Sequence, residues 1–393
     1  MKRIFALMLA LCLLLCGCKK IGNTPARDAS AGKENQANQQ TDSTENNGAQ
    51  NNGDVNGGVN GGANGGSIGG ANGGTDATQP SNPADVRYRH PLTGAPLSAP
   101  WSGQVTAVVV NNLKAAMPQS GISNADIFYE VEVEGDITRC LAIFSDLSGV
   151  GNIGAVRSAR TYFNSLAVSY DAPLIHCGGS PGMALAGRYG ASADVIEGWQ
   201  HIDQGSYGQY FFRDMDRYSS GVAWEHCLFT SGEKLQQAIE AKGYYTPAEE
   251  TYGLQFGDSV VLNGATANEV TVKFKSGKTT VFTYNQEKQG YTMYQHGQDH
   301  IDGNTGEVVV FQNVITIYTT QSYASDGVHK YYESIGTGKG YAAINGQIVP
   351  ITWTRENLRD SYTYTLEDGT PLIMESGKTY IAMVGIRHDI AYK

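Results

Sequence analysis

The chain has 393 residues, with 28 lysines and arginines against 38 aspartates and glutamates, a formal net charge of −10. That acidic balance, with no basic cluster in the part able to fold, argues against nucleic acid as a partner. From Arg87 onward about 307 residues remain, more than one hydrophobic core usually serves, so two domains are expected.

The first 18 residues carry the most information. Met1-Lys2-Arg3, an apolar run from Ile4 to Leu15 and then Cys16-Gly17-Cys18 read as a lipoprotein signal peptide, residues 1–17, with Cys18 as the mature N-terminus. The apolar core is too short to span the ~30 Å of bilayer hydrocarbon, so acyl chains such as palmitate on Cys18 are the expected anchor. Residues 18–86 follow as a tether. Lys19 to Val86 holds no aromatic residue and repeats Asn-Gly-Gly units from Asn56 to Thr75. Such a segment cannot bury enough apolar surface to fold, and its glycines make a flexible linker with a reach of roughly 45 Å.

Residues 87–250 are expected to form an α/β domain with a βαβ core. Val105 to Val110 is a short apolar run of the buried-strand kind. Ile127, Tyr129, Val131 and Val133 alternate with Glu130, Glu132 and Glu134, the signature of a strand with one wet face. Thr138 to Phe144 is a third strand, leading through a glycine-bearing loop to a helix whose buried stripe is Ala159, Phe163, Leu166 and Tyr170. The next strand, Ala172 to His176, runs into Cys177-Gly178-Gly179-Ser180-Pro181, where Ser180 suits a helix N-cap and Pro181 the first helical position. Strand, helix, strand, helix implies a local parallel βαβ unit. Thr230-Ser231-Gly232-Glu233 has capping-box spacing before another helix, with Gly243 as its stop.

Residues 251–393 change texture and are expected to form a mainly antiparallel β-rich domain. Val270 to Phe274, Thr279 to Tyr284, Val308 to Thr319, Ala342 to Thr352, Tyr362 to Leu366 and Thr379 to Val384 are the strand candidates. Asn345-Gly346 and Asp368-Gly369 are hairpin turns.

The chemistry-bearing residues gather on two loops that would lie beyond the carboxyl ends of the parallel strands. On the first, Arg157 and Arg160 sit one helical turn apart, with Asn164 continuing the face, at a helix N-terminus where the dipole already favours an anion. An anion-binding site is one reading. Internal salt bridges to Asp171, Glu132 or Glu134 are the other. On the second loop, Gly178-Gly-Ser180-Pro-Gly182 has the spacing of a hydrolase nucleophile elbow, but Pro181 lacks the N–H that the oxyanion needs; an N-cap explains Ser180 without catalysis. His176 and His226 are acid–base candidates, with Asp171 as a carboxylate beside them, and Arg213 and Arg217 enlarge a basic pocket if the fold brings them in. Three cysteines, Cys140, Cys177 and Cys227, lie in the folding part. A Cys177 to Cys227 bridge or a His/Cys metal site is conceivable, but neighbouring strand side chains point to opposite faces; structural thiols are the simpler reading, and no metal or cofactor is expected.

At these residues the chain resembles the YerB-type family of bacterial lipoproteins. The segments that carry the likeness are Pro91-Leu-Thr-Gly94, Pro118-Gln-Ser-Gly121 with Ala125-Asp126-Ile127, Glu134-Gly135 with Thr138-Arg139, Val156-Arg-Ser-Ala-Arg160, and Asp171 leading to His176-Cys-Gly-Gly-Ser180. Further on come Phe212-Arg-Asp214, Arg217, His226, Asp302-Gly-Asn-Thr-Gly306, Gly336-Thr-Gly-Lys-Gly340, Pro350-Ile-Thr-Trp353 and Gly377-Lys-Thr379. The likeness implies two domains of unknown function. Glu225 and Cys227 flank His226 where the family has proline and asparagine, and Cys177 stands where a small residue is usual. The sequence therefore points to a lipid-anchored protein on the extracytoplasmic face of the cell membrane. It would bind an anionic envelope ligand such as a wall-polymer phosphate or carboxylate, or serve as an interaction module for an envelope protein. The alternative is a hydrolase or transferase on an envelope glycan or phosphodiester.

Overall fold

The computed structural model describes residues 87–180, 199–245, 251–324, 326–386 and 390–393. The leader, Cys18, the tether, Pro181 and the boundary expected near residue 250 lie outside them.

An eleven-stranded sheet organises the molecule. Its first strands are β1 (Thr106–Asn111), β2 (Ile127–Val133) and β3 (Ile137–Phe144). A short β4 (Asn152–Gly154) and helix α1 (Thr161–Val168) lead to β5 (Leu174–His176) and β6 (His201–Asp203). β7 (Phe212–Arg213), helix α2 (Met215–Ser219), β8 (Leu228–Ser231) and helix α3 (Gly232–Lys242) complete the first half. In the second half β9 (Glu269–Lys273), β10 (Thr279–Asn285) and β11 (Gly290–Gln295) make a separate antiparallel sheet. β12 (Asn313–Thr319), β13 (Gly336–Ile344), β14 (Gln347–Arg355) and β15 (Thr379–Gly385) join the large one. The main run of that sheet is β14-β13-β12-β15-β2-β3-β1-β5-β6.

This architecture corrects the expectation of an α/β domain with a βαβ core. The described residues are mostly strand with few helices. β3 is not the parallel partner of β5: β1 lies between them, antiparallel to β3, and meets β5 over two residue pairs. The local pattern misled for a physical reason. A strand buried on both faces reads as a continuous apolar run whether helices or a second sheet cover it, and here much of one face is covered by β9–β11. Val270, Val272, Phe282, Tyr291 and Met293 pack there against Val108, Phe128, Ala142 and Tyr380. On the opposite face Tyr162, Phe163, Leu166 and Ala167 of α1 pack with Ile127, Tyr129, Val131 and Ile315.

β15 shows how the halves of the sequence interleave. It pairs in parallel with β12 on one side and with β2 on the other, Thr379 opposite both Asn313 and Ile127, and all seven of its residues are buried. Arg355 of β14, 1% exposed, adds a tie: Nη1 donates to Ser165 Oγ at 3.0 Å and Nη2 to Ser165 O at 2.8 Å in α1.

β2 has no wet face. Glu130 and Glu132 are 0% and 2% exposed, because the face they share with Phe128 lies under the second sheet. Glu130 accepts from Thr138 Oγ1 at 2.7 Å, Tyr380 OH at 2.7 Å, Asn112 Nδ2 at 2.9 Å and Thr280 Oγ1 at 2.9 Å, and it pairs with Lys278 Nζ. Burial alone would raise its pKa, but the Lys278 charge and these donors outweigh burial and hold it below the usual glutamate value.

Local signals held in several places. Asn345 and Gly346 form the tight turn between β13 and β14, both with positive φ. Helix α3 stops at Gly243 in the left-handed region, φ 63°, but its N-cap is Ser231 rather than Thr230.

Candidate functional site

The two loops singled out by the sequence are zipped together beyond the carboxyl end of β5. Cys177 N donates to Arg157 O at 3.0 Å, Ala159 N to Gly178 O at 3.0 Å and Ser180 N to Ala159 O at 3.2 Å. Asp203, at the end of β6, fixes the turn by accepting from Gly178 N at 2.7 Å; Gly178 has φ +72°, which suits glycine.

Arg157 and Arg160 do not share a helix face. α1 begins at Thr161, and Arg160 is its extended N-cap, φ −130°, so the residues from Arg157 to Arg160 are non-helical and the helical spacing does not apply. Three backbone N–H groups of this loop are already engaged: Gly154 N donates to Ser120 O, Val156 N to Leu228 O and Arg157 N to Val109 O.

The side chains diverge accordingly. Arg160 is 5% exposed and bound to Glu134, with Nε to Oε2 at 2.8 Å, while its Nη1 donates to Ala159 O at 2.6 Å. Burial would raise the Glu134 pKa, but Arg160 carries it down to about 2. Arg139, which sequence reasoning passed over, donates to Ser158 O at 3.0 Å; burial and the neighbouring Arg160 lower its pKa to about 10. Arg157 is held differently. Its Nη1 reaches Glu225 O at 3.1 Å, and its Nε is buried with no partner. Burial lowers its pKa, Glu225 opposes that, and the Arg160 and Arg213 cations reinforce it.

Arg213 donates through Nη1 to Trp224 O at 2.7 Å and lies 4.7 Å over the Trp224 ring. Arg217 has an architectural setting, donating to the carbonyls of Ala116, Met117 and Pro118 at 2.9, 2.7 and 3.2 Å.

The tautomers of the two histidines follow from their partners. Asn111 at the end of β1 has its amide oriented by Leu113 N, which donates to Oδ1 at 3.0 Å. Asn111 Nδ2 therefore donates to His226 Nδ1 at 2.7 Å, which leaves the proton of neutral His226 on Nε2. Burial and the charges of Arg157 and Arg217 lower the His226 pKa, with Glu225 opposing. His226 is thus a neutral donor. His176 is the reverse: Nδ1 donates to Gly178 O at 2.9 Å, and the acceptor Nε2 is buried without a partner in a residue that is 0% exposed. Burial drives its pKa to about 4 despite Asp203.

The remaining candidates are scattered. Asp171 lies at the opposite end of β5 from His176, beside a cavity of about 380 Å³ with Arg359 and Ser361. Asn164 is buried in α1 with Oδ1 unpartnered, and Ser180 is 4% exposed. Cys140, Cys177 and Cys227 are free thiols. Burial, reinforced by Asp203, raises the Cys177 pKa, which disfavours the thiolate. Among the described residues no group of three or more His, Cys, Asp or Glu is placed to hold a metal, and no helix is long and apolar enough to cross a membrane.

The chain belongs to the DUF3048 family, a two-part family of unknown function. Residues 92–245 match the profile described as "Protein of unknown function (DUF3048) N-terminal domain", and residues 270–381 match that of the C-terminal domain. It is 32% identical over 308 residues to the Bacillus subtilis (strain 168) protein named "Putative lipoprotein YerB", covering 75% of this chain and 88% of that one. The crystal structure of YerB from Bacillus subtilis superimposes with a TM-score of 0.65 at 29% identity, over 78% of this chain and all of that one. The relationship makes this a lipoprotein-type chain and points to association with a membrane through lipid.

Proposed function

We propose that the protein is held on the extracytoplasmic face of the membrane by acylated Cys18 and binds an anionic group of an envelope ligand, a phosphate or carboxylate, at Arg157, Arg213 and His226. The observation that carries this reading is Arg157. Its guanidinium is partly desolvated among other cations, and a buried Nε has no acceptor. An arginine so placed is stabilised by an incoming anion. The His226 tautomer supports binding over catalysis, since Nε2–H donates and cannot act as a base, while the acceptor nitrogen of His176 is enclosed.

Calorimetric titration with inorganic pyrophosphate at low ionic strength tests this. Saturable binding is expected, and Arg157→Ala should weaken it about tenfold or more, the worth of a charge-assisted hydrogen bond of ~1.5–3 kcal/mol, with the unfolding temperature little changed. Absence of binding, or equal binding by Arg157→Ala and Arg213→Ala, refutes the proposal.

A further inference from the structure

Away from the arginine cluster, α3 and the segment leading into β1 enclose the walls of a groove of about 690 Å³, within the range of small-ligand sites. One wall is the α3 face formed by Gln236, Ile239 and Glu240 at helical spacing, continued by Tyr244; the facing wall is Trp101, Gln104 and Thr106. Trp101 is held in place. His90 meets its ring edge-on at 5.0 Å, and Gly103 lies so close that a Cβ there would come within 2.6 Å of ring atom Cζ2. At the inner wall, Thr106 is 0% exposed and its Oγ1 has no hydrogen-bond partner.

We infer that this groove is a binding site for a neutral oligosaccharide. The lining offers aromatic rings for the apolar C–H face of a pyranose and side-chain amides for its hydroxyls. The unpartnered Thr106 hydroxyl would gain a partner from a sugar hydroxyl, whereas a purely apolar ligand would leave it unpaired. No lysine or arginine lines the groove, and Asp146 and Glu240 do, so an anion is disfavoured. Those two carboxylates are exposed, so a cation carried to the inner wall would lose its hydration without a buried counter-charge.

The test is calorimetric titration of the full chain with triacetylchitotriose and maltotriose, with cadaverine as the cationic comparison. At least one neutral sugar is expected to bind saturably. Trp101→Ala and Gln236→Ala should each weaken that binding severalfold or more, and Thr106→Val, which keeps the shape and removes the hydroxyl, should weaken it by up to about tenfold. Gln236 is exposed on the helix, so its variant separates lost binding from lost folding. Arg157→Ala should bind the sugar normally. The inference is overturned if neither sugar binds, if binding survives in Gln236→Ala and Tyr244→Ala, or if cadaverine alone binds.

Discussion

Replacing Glu130 by alanine is expected to cost about 3–5 kcal/mol of stability, the range for removing one member of a buried ion pair. The carboxylate is 0% exposed and gathers four neutral donors, from Asn112, Thr138, Thr280 and Tyr380, besides the Lys278 ammonium. Its loss strands those donors between two sheets, each at a cost of roughly 1–3 kcal/mol where no water enters, while Lys278, 12% exposed at its side chain, recovers part of its hydration. Water entering the space left by the carboxylate offsets part of that sum, so the single substitution should fall inside the ion-pair range. The double variant Glu130→Gln with Lys278→Met keeps a hydrogen-bonding group and removes both charges, so it should lose less than the sum of its single variants, with a coupling of at least about 1 kcal/mol. Equilibrium urea unfolding followed by tryptophan fluorescence measures the parent, Glu130→Ala, the two single variants and the double variant. A loss below about 1 kcal/mol in Glu130→Ala would mean that the interlayer is wet and that the carboxylate is not a structural element.

Acid should destabilise the fold through His176. Its pKa is about 4 in the folded chain against an ordinary 6.5, so the unfolded chain takes up a proton first and stability falls as pH drops from about 6.5 to about 4. The total is about 3 kcal/mol, and His176→Gln should flatten that limb of an unfolding-temperature profile relative to the parent; equal slopes refute the assignment. For the anchor, Cys18→Ala expressed with its leader in a bacterium should fail to fractionate with membranes as a processed lipoprotein, and normal processing at the same bond contradicts lipidation.

Local chemistry was legible in the sequence wherever the cause is local. The Asn345-Gly346 turn depends on neighbours in the chain, and the family follows from motifs strung along its length. The strands were mostly located as well, because alternation and β-branching report on a pleated backbone. What covers each strand is another matter. β2 reads as half-wet because Glu130 and Glu132 alternate with apolar residues, and only the tertiary structure, which brings Lys278 and Thr280 from the second sheet and Lys330 from a separate short strand, shows that the glutamates are buried and paired.

The candidate site divides the same way. Its residue types and two loops were visible in advance, and the loops do meet. Their roles were not visible, because a guanidinium's partner is set by direction. One arginine turns to Glu134 and the other to Glu225, a difference fixed by an extended backbone where a helix was expected. Asn111, which sets the His226 tautomer, is 115 residues away in the chain. Sequence by itself determined the family and most of the strands; partners, burial and protonation were decided by tertiary structure, since they depend on groups that only folding brings within a few ångströms.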